Sequence, residues 1–253
     1  MSWLEALAVL GAGIVAGTVN TVVGSGSLVS FPMLVGVGFD PVVANVTNTV
    51  GLVPGSVTGA VGYRRELEGQ RARLLRLGAA ALVGGLVGAI LLLNLDEDVF
   101  EAVVPVLIGV GCALVVLQPR ITAWMNKHRD HAPPAQGSWW VVGAILVASV
   151  YGGYFGAAQG IIYVAVLGLG IDDALQRLNA TKNVLAAIVN GVAAILFAFA
   201  ADVEWWAAAA LATGATVGGF VGSTAGRRLP DWALRGFVLV VGVAAIAFFV
   251  ADL

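Results

Sequence analysis

Along nearly the whole chain, apolar residues run in stretches of roughly 17 to 25 positions, the length a helix needs to cross about 30 Å of hydrocarbon. Short polar patches separate them. Read between those patches, the sequence predicts helices near 5–22, 41–62, 75–94, 99–117, 138–156, 180–200, 204–225 and 232–251. Two shorter apolar pieces, 26–37 and 160–171, follow the first and fifth of these after glycine-containing breaks, and are too short to cross comfortably alone. The expected fold is an all-α polytopic membrane protein with about eight transmembrane helices plus short broken or re-entrant segments.

Sliding the chain against itself reveals a repeat at a constant offset of 134, the separation of Thr47 from Thr181. At that offset Gly26 meets Gly160, Gly36 meets Gly170, Asn45 meets Asn179 and Leu95 meets Leu229. Gly84-Gly85-Leu86-Val87-Gly88 falls on Gly218-Gly219-Phe220-Val221-Gly222. Matches among Ala, Val, Leu and Gly arise easily by chance, so the Asn-x-Thr pair and the glycine pattern carry the weight. The domain reading is a first repeat over 1–117, with a broken hairpin near 5–37, and a second over 138–253, with its broken hairpin near 138–171. A polar cytoplasmic linker, 118–137, containing Pro133-Pro134, joins them.

Charge orients the repeats, because cytoplasmic loops carry the excess of Lys and Arg. Arg64, Arg65, Arg71, Arg73 and Arg76 cluster between the second and third long stretches, and Arg120, Lys127 and Arg129 in the linker; both loops are expected inside. Asp96, Glu97 and Asp98 lie between them without a cation and are expected outside. In the second half the bias flips: Asp202 and Glu204 match the Arg-rich loop, while Arg227, Arg228 and Arg235 match the acidic one. The simplest account is two inverted repeats, each a same-side hairpin followed by three full spans. Eight plain spans in parallel repeats is the competing arrangement.

Composition agrees and narrows the function. Hydrophobic residues make up 59% and charged residues 11% of the 253 positions, against about 25% charged in a soluble domain. A net charge of −2 excludes the basic surface nucleic-acid binding requires. Cys112 is the lone cysteine and is read as a packing residue. The first stretch lacks a basic leading region, carries Glu5 and runs into further membrane sequence, so it is read as part of the mature protein, in a cytoplasmic-type membrane.

Gly24-Ser25-Gly26-Ser27 interrupts the first hydrophobic segment, and Ala158-Gln159-Gly160 stands at the matching place in the second. Broken backbone inside a membrane is tolerated only where protein or a wet cavity surrounds it, and a half-helix starting there aims free N–H groups and a positive dipole end at an anion. Close helix packing is the plainer use of such glycines. A second polar cluster, Asn45-Val46-Thr47-Asn48-Thr49, is matched by Asn179-Ala180-Thr181-Lys182-Asn183. One Asn or Thr is explained as a helix cap; the rest exceed that need. Lys182 either snorkels to the interface, or faces the interior, where it suits a small oxyanion or serves as a titrating group. Asn20, Thr21 and Asn190 add polar groups to apolar segments, and Tyr151, Tyr154 and Tyr163 either line a cavity or pack. Pro32 and Pro54 are expected to shape the hairpin and kink the second span.

No Asp or Glu falls near the centre of a span, which excludes the usual carboxylate proton relay. Catalysis finds no constellation: His128 and His131 both lie in the linker, neither Ser25 nor Ser27 has a nucleophile-elbow surround, and no metal-ligand cluster exists. The protein is read as a non-enzyme with no cofactor and no resident metal.

The run from Gly17 through Asn20, Gly24, Gly26 and Phe31 to Pro32, then Ala44-Asn45-Val46-Thr47-Asn48-Thr49, Pro54-Gly55-Ser56 and Gly62-Tyr63-Arg64-Arg65-Glu66-Leu67, resembles the sulfite exporter TauE/SafE family of membrane transporters. The resemblance covers both halves. It implies a duplicated hydrophobic core and passage of sulfur-containing anions such as sulfite and sulfonates, with export the favoured direction. It marks Gly24 to Ser27 and Asn45 to Thr49, with Gln159, Gly160, Asn179, Thr181 and Lys182 as the second-half counterpart. The second break departs from the family pattern: Ala157-Ala158-Gln159-Gly160 is poorer in glycine and no proline follows it.

The resulting expectation is a secondary transporter that moves a small anion, a sulfur oxoanion or sulfonate, by alternating access between the repeats. The substrate is expected to be held by Asn20, Gly24 to Ser27, Asn45, Thr47, Asn48, Thr49, Gln159, Gly160, Asn179, Thr181, Lys182 and Asn183. Alternatives are uptake of a sulfonate or carboxylate, and a passive anion channel. Its partners are the anionic substrate and the lipid bilayer; a proton or sodium ion as coupling ion, and a homodimer, are left open.

Overall fold

The computed structural model describes residues 1–127, 137–224 and 231–251, with backbone alone for 125–127, 231–232 and 248–251. His128, Arg129, His131, Pro133, Pro134, Arg227 and Arg228 lie outside the described residues. Every one of the ten apolar stretches forms a helix: α1 (Trp3–Val22), α2 (Ser27–Gly36), α3 (Pro41–Gly62), α4 (Arg71–Asn94), α5 (Glu97–Lys127), α6 (Trp139–Tyr154), α7 (Gln159–Gly170), α8 (Leu175–Ala200), α9 (Trp205–Thr224) and α10 (Asp231–Ala251). Among the described residues there is no strand. Four helices are long and apolar enough to cross a membrane: Trp3–Val22, Arg71–Asn94, Glu97–Trp124 within α5, and Leu175–Ala200. With its helical, overwhelmingly apolar elements, the chain has the architecture of a polytopic membrane protein. α3 is as long, but Asn45, Thr47, Asn48, Thr49, Ser56 and Thr58 lower its hydropathy.

Local sequence sets the helix ends. Glu5 helps to close the start of α1, where the Ser2 hydroxyl accepts from Glu5 N at 3.3 Å and the Glu5 carboxylate from Ser2 N at 2.6 Å, a reciprocal cap. Pro41 opens α3, where its missing N–H costs nothing. α5 runs past the apolar stretch to Lys127, taking the first ten residues of the expected linker into helix despite Pro105 and Pro119. Each proline removes one ladder bond, whereas unwinding near lipid would strand many backbone groups.

Glycine governs how the helices pack. α9 lies between α1 and α3: a methyl on Gly214, Gly218 or Gly222 would strike the backbone of α1 near Leu10, Ile14 and Thr18, and one on Gly219 would strike Gly55 of α3. α4 lies between α6 and α8 in the same way, Gly84 and Gly88 against Leu146 and Val150 of α6, Gly85 against Val189 of α8. Both copies of the five-residue glycine pattern are thus internal clamps, allowing the close approach that small residues give membrane helices. In each contact the residue numbers rise together, so α1, α3 and α9 run one way and α4, α6 and α8 run parallel to each other. The two groups are opposed. Ser56 of α3 meets Asn190 of α8, while Gly59, one turn on, packs on Thr21, whose carbonyl accepts from Lys182 and Asn183 near the start of α8. α3, α4 and α5 begin at Pro41, Arg71 and Glu97, and α8, α9 and α10 at Leu175, Trp205 and Asp231, each pair 134 residues apart.

The two ends of this bundle differ in charge. Arg64, Arg65, Arg71, Arg73, Arg76 and Arg177 gather at one end; Glu5, Asp40, Asp96, Glu97, Asp98, Asp202 and Glu204 lie at the other. Exposed tryptophans ring both: Trp3, Trp205 and Trp206 at the acidic end, Trp139 and Trp140 at the arginine end. Indole rings at two levels are the mark of two lipid-water interfaces.

Candidate functional site

Two broken helices meet inside the bundle. Gly24 adopts φ +87°, and the N–H groups of Val23 and Gly24 both close on Val19 O, at 2.7 and 3.0 Å. That ends α1 and leaves the carbonyls of Asn20 and Thr21 without helical partners. α2 restarts at Ser27. In the second half α6 stops at Tyr154, and Ala158, the counterpart of Gly24, takes φ +58°, a left-handed conformation that costs a non-glycine residue about 1–2 kcal/mol. The breaks touch directly: Gly160 N donates to Gly24 O at 3.0 Å, and a Cβ on either glycine would lie 2.5 Å from the other's Cα.

α8 reaches into this junction. Lys182, 1% exposed, donates from Nζ to Asn20 O at 3.1 Å and Thr21 O at 2.9 Å, and Asn183 Nδ2 donates to Thr21 O at 3.3 Å. Lys182 therefore faces the interior, on the orphan carbonyls that form the negative end of α1. Among the described residues it has no carboxylate partner. From α3, Asn48 donates to Ser27 Oγ at 3.2 Å and accepts from Ser30 Oγ at 2.5 Å, and Asn45 donates to Tyr154 O, the end of α6, at 2.9 Å. Asn20 and Asn190 both donate to Ser56 Oγ, at 3.3 and 3.2 Å. Gln159, in the first turn of α7, donates to the Tyr163 hydroxyl, which is 2.7 Å from Ser149 Oγ.

The structure places Asn20, Gly24, Gly160, Lys182 and Asn183 against one another, Ser25 and Gly26 in the first break, Ser27 and Asn48 bonded to each other at the start of α2, Asn45 on the end of α6 and Gln159 on Tyr163. Three predicted residues serve elsewhere. Thr47 accepts from Glu204 N at 3.0 Å at the start of α9, Thr181 donates to Gln70 Oε1 at 2.8 Å just before α4, and Thr49 bonds the Asn45 carbonyl of its own helix at 3.0 Å. Asn179 is half-buried at the start of α8. Ser30 and Ser56 do not stand out in the sequence; Ser30 is three residues from Ser27, one face of a helix, which is the signal that would find it. At the breaks, three buried atoms have no hydrogen-bond partner: Thr21 Oγ1 and Ser25 Oγ at the first and Asn45 Oδ1 at the second. Such orphans are rare in folded proteins and mark a place for water or a ligand.

Among the described residues no cluster of His, Cys, Asp and Glu could hold a metal. A groove of about 570 Å³ between α1, α2 and α10, lined by Val15, Met33 and Val241, is apolar and separate from the junction. At the arginine end, Arg73 donates to Asp173 Oδ2 at 2.8 Å and to Gln70 Oε1 at 2.5 Å, and Arg177 Nε lies 2.9 Å from Asp173 Oδ1. Burial alone would raise the Asp173 pKa; hydrogen bonds from Arg73, Ala174 N–H and Arg177 outweigh it and hold the carboxyl below its ordinary value.

A bundle of apolar helices broken at two touching points, with polar side chains gathered on the breaks, has the make-up of a membrane transporter. Residues 9–249 match the model of the sulfite exporter TauE/SafE family, and the chain belongs to that family. It is a transporter, not an enzyme. It is 28% identical over 224 residues to the probable membrane transporter protein YfcA of Escherichia coli strain K12, covering 85% of this chain and 76% of that one. It is 23% identical over 248 residues to the probable membrane transporter protein ORF9 of a Sinorhizobium species, covering 95% and 90%. No solved structure matches it.

Proposed function

We propose that the chain exports a small oxyanion, a sulfur oxoanion or sulfonate of the sulfite type, across the cytoplasmic membrane by alternating access. The two halves act as inverted repeats, with α1 to α5 and α6 to α10 exchanging exposure of one central site. The observation that carries this reading is the junction itself. The start of α2 and the unpartnered Ser25 hydroxyl follow directly on Gly24, and Lys182 packs on Gly160, the residue that Gly24 touches. Free N–H groups and the positive end of a half-helix favour an anion, and a cation with hydroxyl donors suits several oxygens on one centre.

The site is closed in this structure, since Thr21, Ser25, Lys182 and Asn183 are all buried. A solute enters only if the helices part, which is why a gated carrier fits better than an open pore. The family description, sulfite exporter, supports export over uptake. The test is flux of labelled sulfite, thiosulfate, a sulfonate and acetate in proteoliposomes, with Ser25→Ala alongside the parent chain. Saturable, counterflow-competent flux of sulfur oxyanions, cut at least about tenfold by the substitution, is expected. Unsaturable conductance, or flux of acetate alone, would overturn the reading.

A further inference from the structure

An anion held at the junction needs a countercharge, and the end of α1 shows where one sits. Helix C-termini broken inside a membrane present orphan carbonyls, and in transporters these commonly coordinate a mobile cation. Here the two carbonyls left bare by the end of α1, those of Asn20 and Thr21, are both taken by the Lys182 ammonium, at 3.1 and 2.9 Å, with the Asn183 amide on the second at 3.3 Å. The second break is met differently. Tyr154 O, the counterpart of Asn20 O, accepts from the neutral Asn45 amide at 2.9 Å, and the counterpart of Lys182 is Asn48. The cation is therefore confined to one of two related positions, and it is covalently part of the chain.

We infer that Lys182 is a tethered cation standing where a monovalent metal ion would otherwise sit, so that the protein carries its own countercharge and binds no sodium at the junction. The inference rests on the transport reading for its purpose, but its structural content does not need a substrate. An ammonium and a sodium ion make similar demands of carbonyl oxygens: one positive charge, short contacts to oxygen lone pairs, no acceptor of its own. Removing the amine leaves the Asn20 carbonyl bare and the Thr21 carbonyl with the Asn183 amide alone, at the negative end of α1 and in a space opened by the lost side chain. That is a site for a small monovalent cation with water completing its shell.

The experiment compares the parent chain, Lys182→Ala and Lys182→Gln in detergent, by Tm in sodium, lithium, potassium and choline chlorides at equal ionic strength, and by binding of radioactive sodium. The parent is expected to show the same Tm in sodium and choline and no bound sodium. Lys182→Ala is expected to melt lower in choline and to regain at least about 3 °C in sodium, since ligand binding to the folded state raises Tm by mass action. Lys182→Gln, whose amide donates to the same carbonyls, is expected to fold without a sodium effect. Sodium binding by the parent overturns the inference, even if neither variant folds, and so does a folded Lys182→Ala indifferent to every cation. Anion flux is measured separately: a parent that transports no anion while Lys182→Ala gains sodium dependence would sink the transport reading and leave this one standing.

Discussion

Gly24 and Gly160 show what the junction asks of single residues. Their backbones are in hydrogen-bond contact, and a Cβ on either would lie 2.5 Å from the other's Cα, with no flexible side chain to yield. Gly24 also holds φ +87°, so an alanine there adds about 1–2 kcal/mol of left-handed strain to about 1–3 kcal/mol of overpacking. Gly24→Ala is expected to lower Tm by roughly 4–20 °C, at about 2–4 °C per kcal/mol for a chain of this size, and to abolish flux. Gly160→Ala, without the strain, should fall less. A scanning-calorimetry trace in which Gly24→Ala melts with the parent would mean that the breaks do not touch. Sequence exposes Gly24 because a Gly-Ser cluster inside an apolar run does little there except interrupt a helix, and Gly160 because it falls on Gly26 at the repeat offset. It does not expose Ser56 as a partner of Asn20 and Asn190, because a serine in a helix commonly bonds only its own backbone and the pairing spans 134 residues of chain. Nor does it separate Thr47 and Thr181 from the site residues beside them. In each case the next side chain along, Asn48 or Lys182, points to the junction, while the threonine turns to the start of α9 or to Gln70. Adjacent residues on a helix lie about 100° apart, and only packing decides which one faces the centre.

Between elements, the starts of α4 and α8 are bound by charge at the arginine end and their counterparts are not. Asp173, in the turn before α8, takes Arg73 of α4 at 2.8 Å and Arg177 at 2.9 Å, and Gln70 bridges Arg73 to Thr181. At the acidic end the corresponding starts of α9 and α3 meet through the bond from Glu204 N to Thr47. The Asp173 carboxyl is held below its usual value, so its stabilising contribution is present above the ordinary carboxylate range and is lost as pH falls through the depressed value, below about pH 4. Asp173→Asn should reproduce that loss at neutral pH. With two guanidinium partners losing a charged acceptor, the expected destabilisation is about 1–3 kcal/mol. A Tm profile between pH 3 and 7 checks this: the gap between parent and variant should narrow as pH falls below about 4, and a constant gap across that range would assign the effect to packing. That these elements are helices is legible in the length of their apolar runs. The continuation of α5 to Lys127 is not, because hydropathy reports what lipid will accept and not where a helix stops.

Across the whole molecule, the strongest constraint is the sorting of charge by end. Within the described side chains, every Arg outside the membrane interior belongs to the end holding the starts of α4 and α8, and the opposite end offers only carboxylates. Arg and Lys are retained on the cytoplasmic side during insertion, so this end should be inside. α3 and α8, which begin 134 residues apart, run in opposite directions, the relation that inverted repeats would require. Single-cysteine variants test this in cells after replacement of Cys112, the one native thiol. Asp96→Cys and Asp202→Cys should react with a membrane-impermeant maleimide from outside, and Arg65→Cys and Arg177→Cys only after the membrane is opened. The informative pair is Asp202 and Arg65, since Asp202 follows α8 as Glu68, its counterpart beside Arg65, follows α3. If the halves were parallel, equivalent loops would share a side and both positions would label together. Labelling at position 202 with position 65 protected requires that one half be upside down relative to the other.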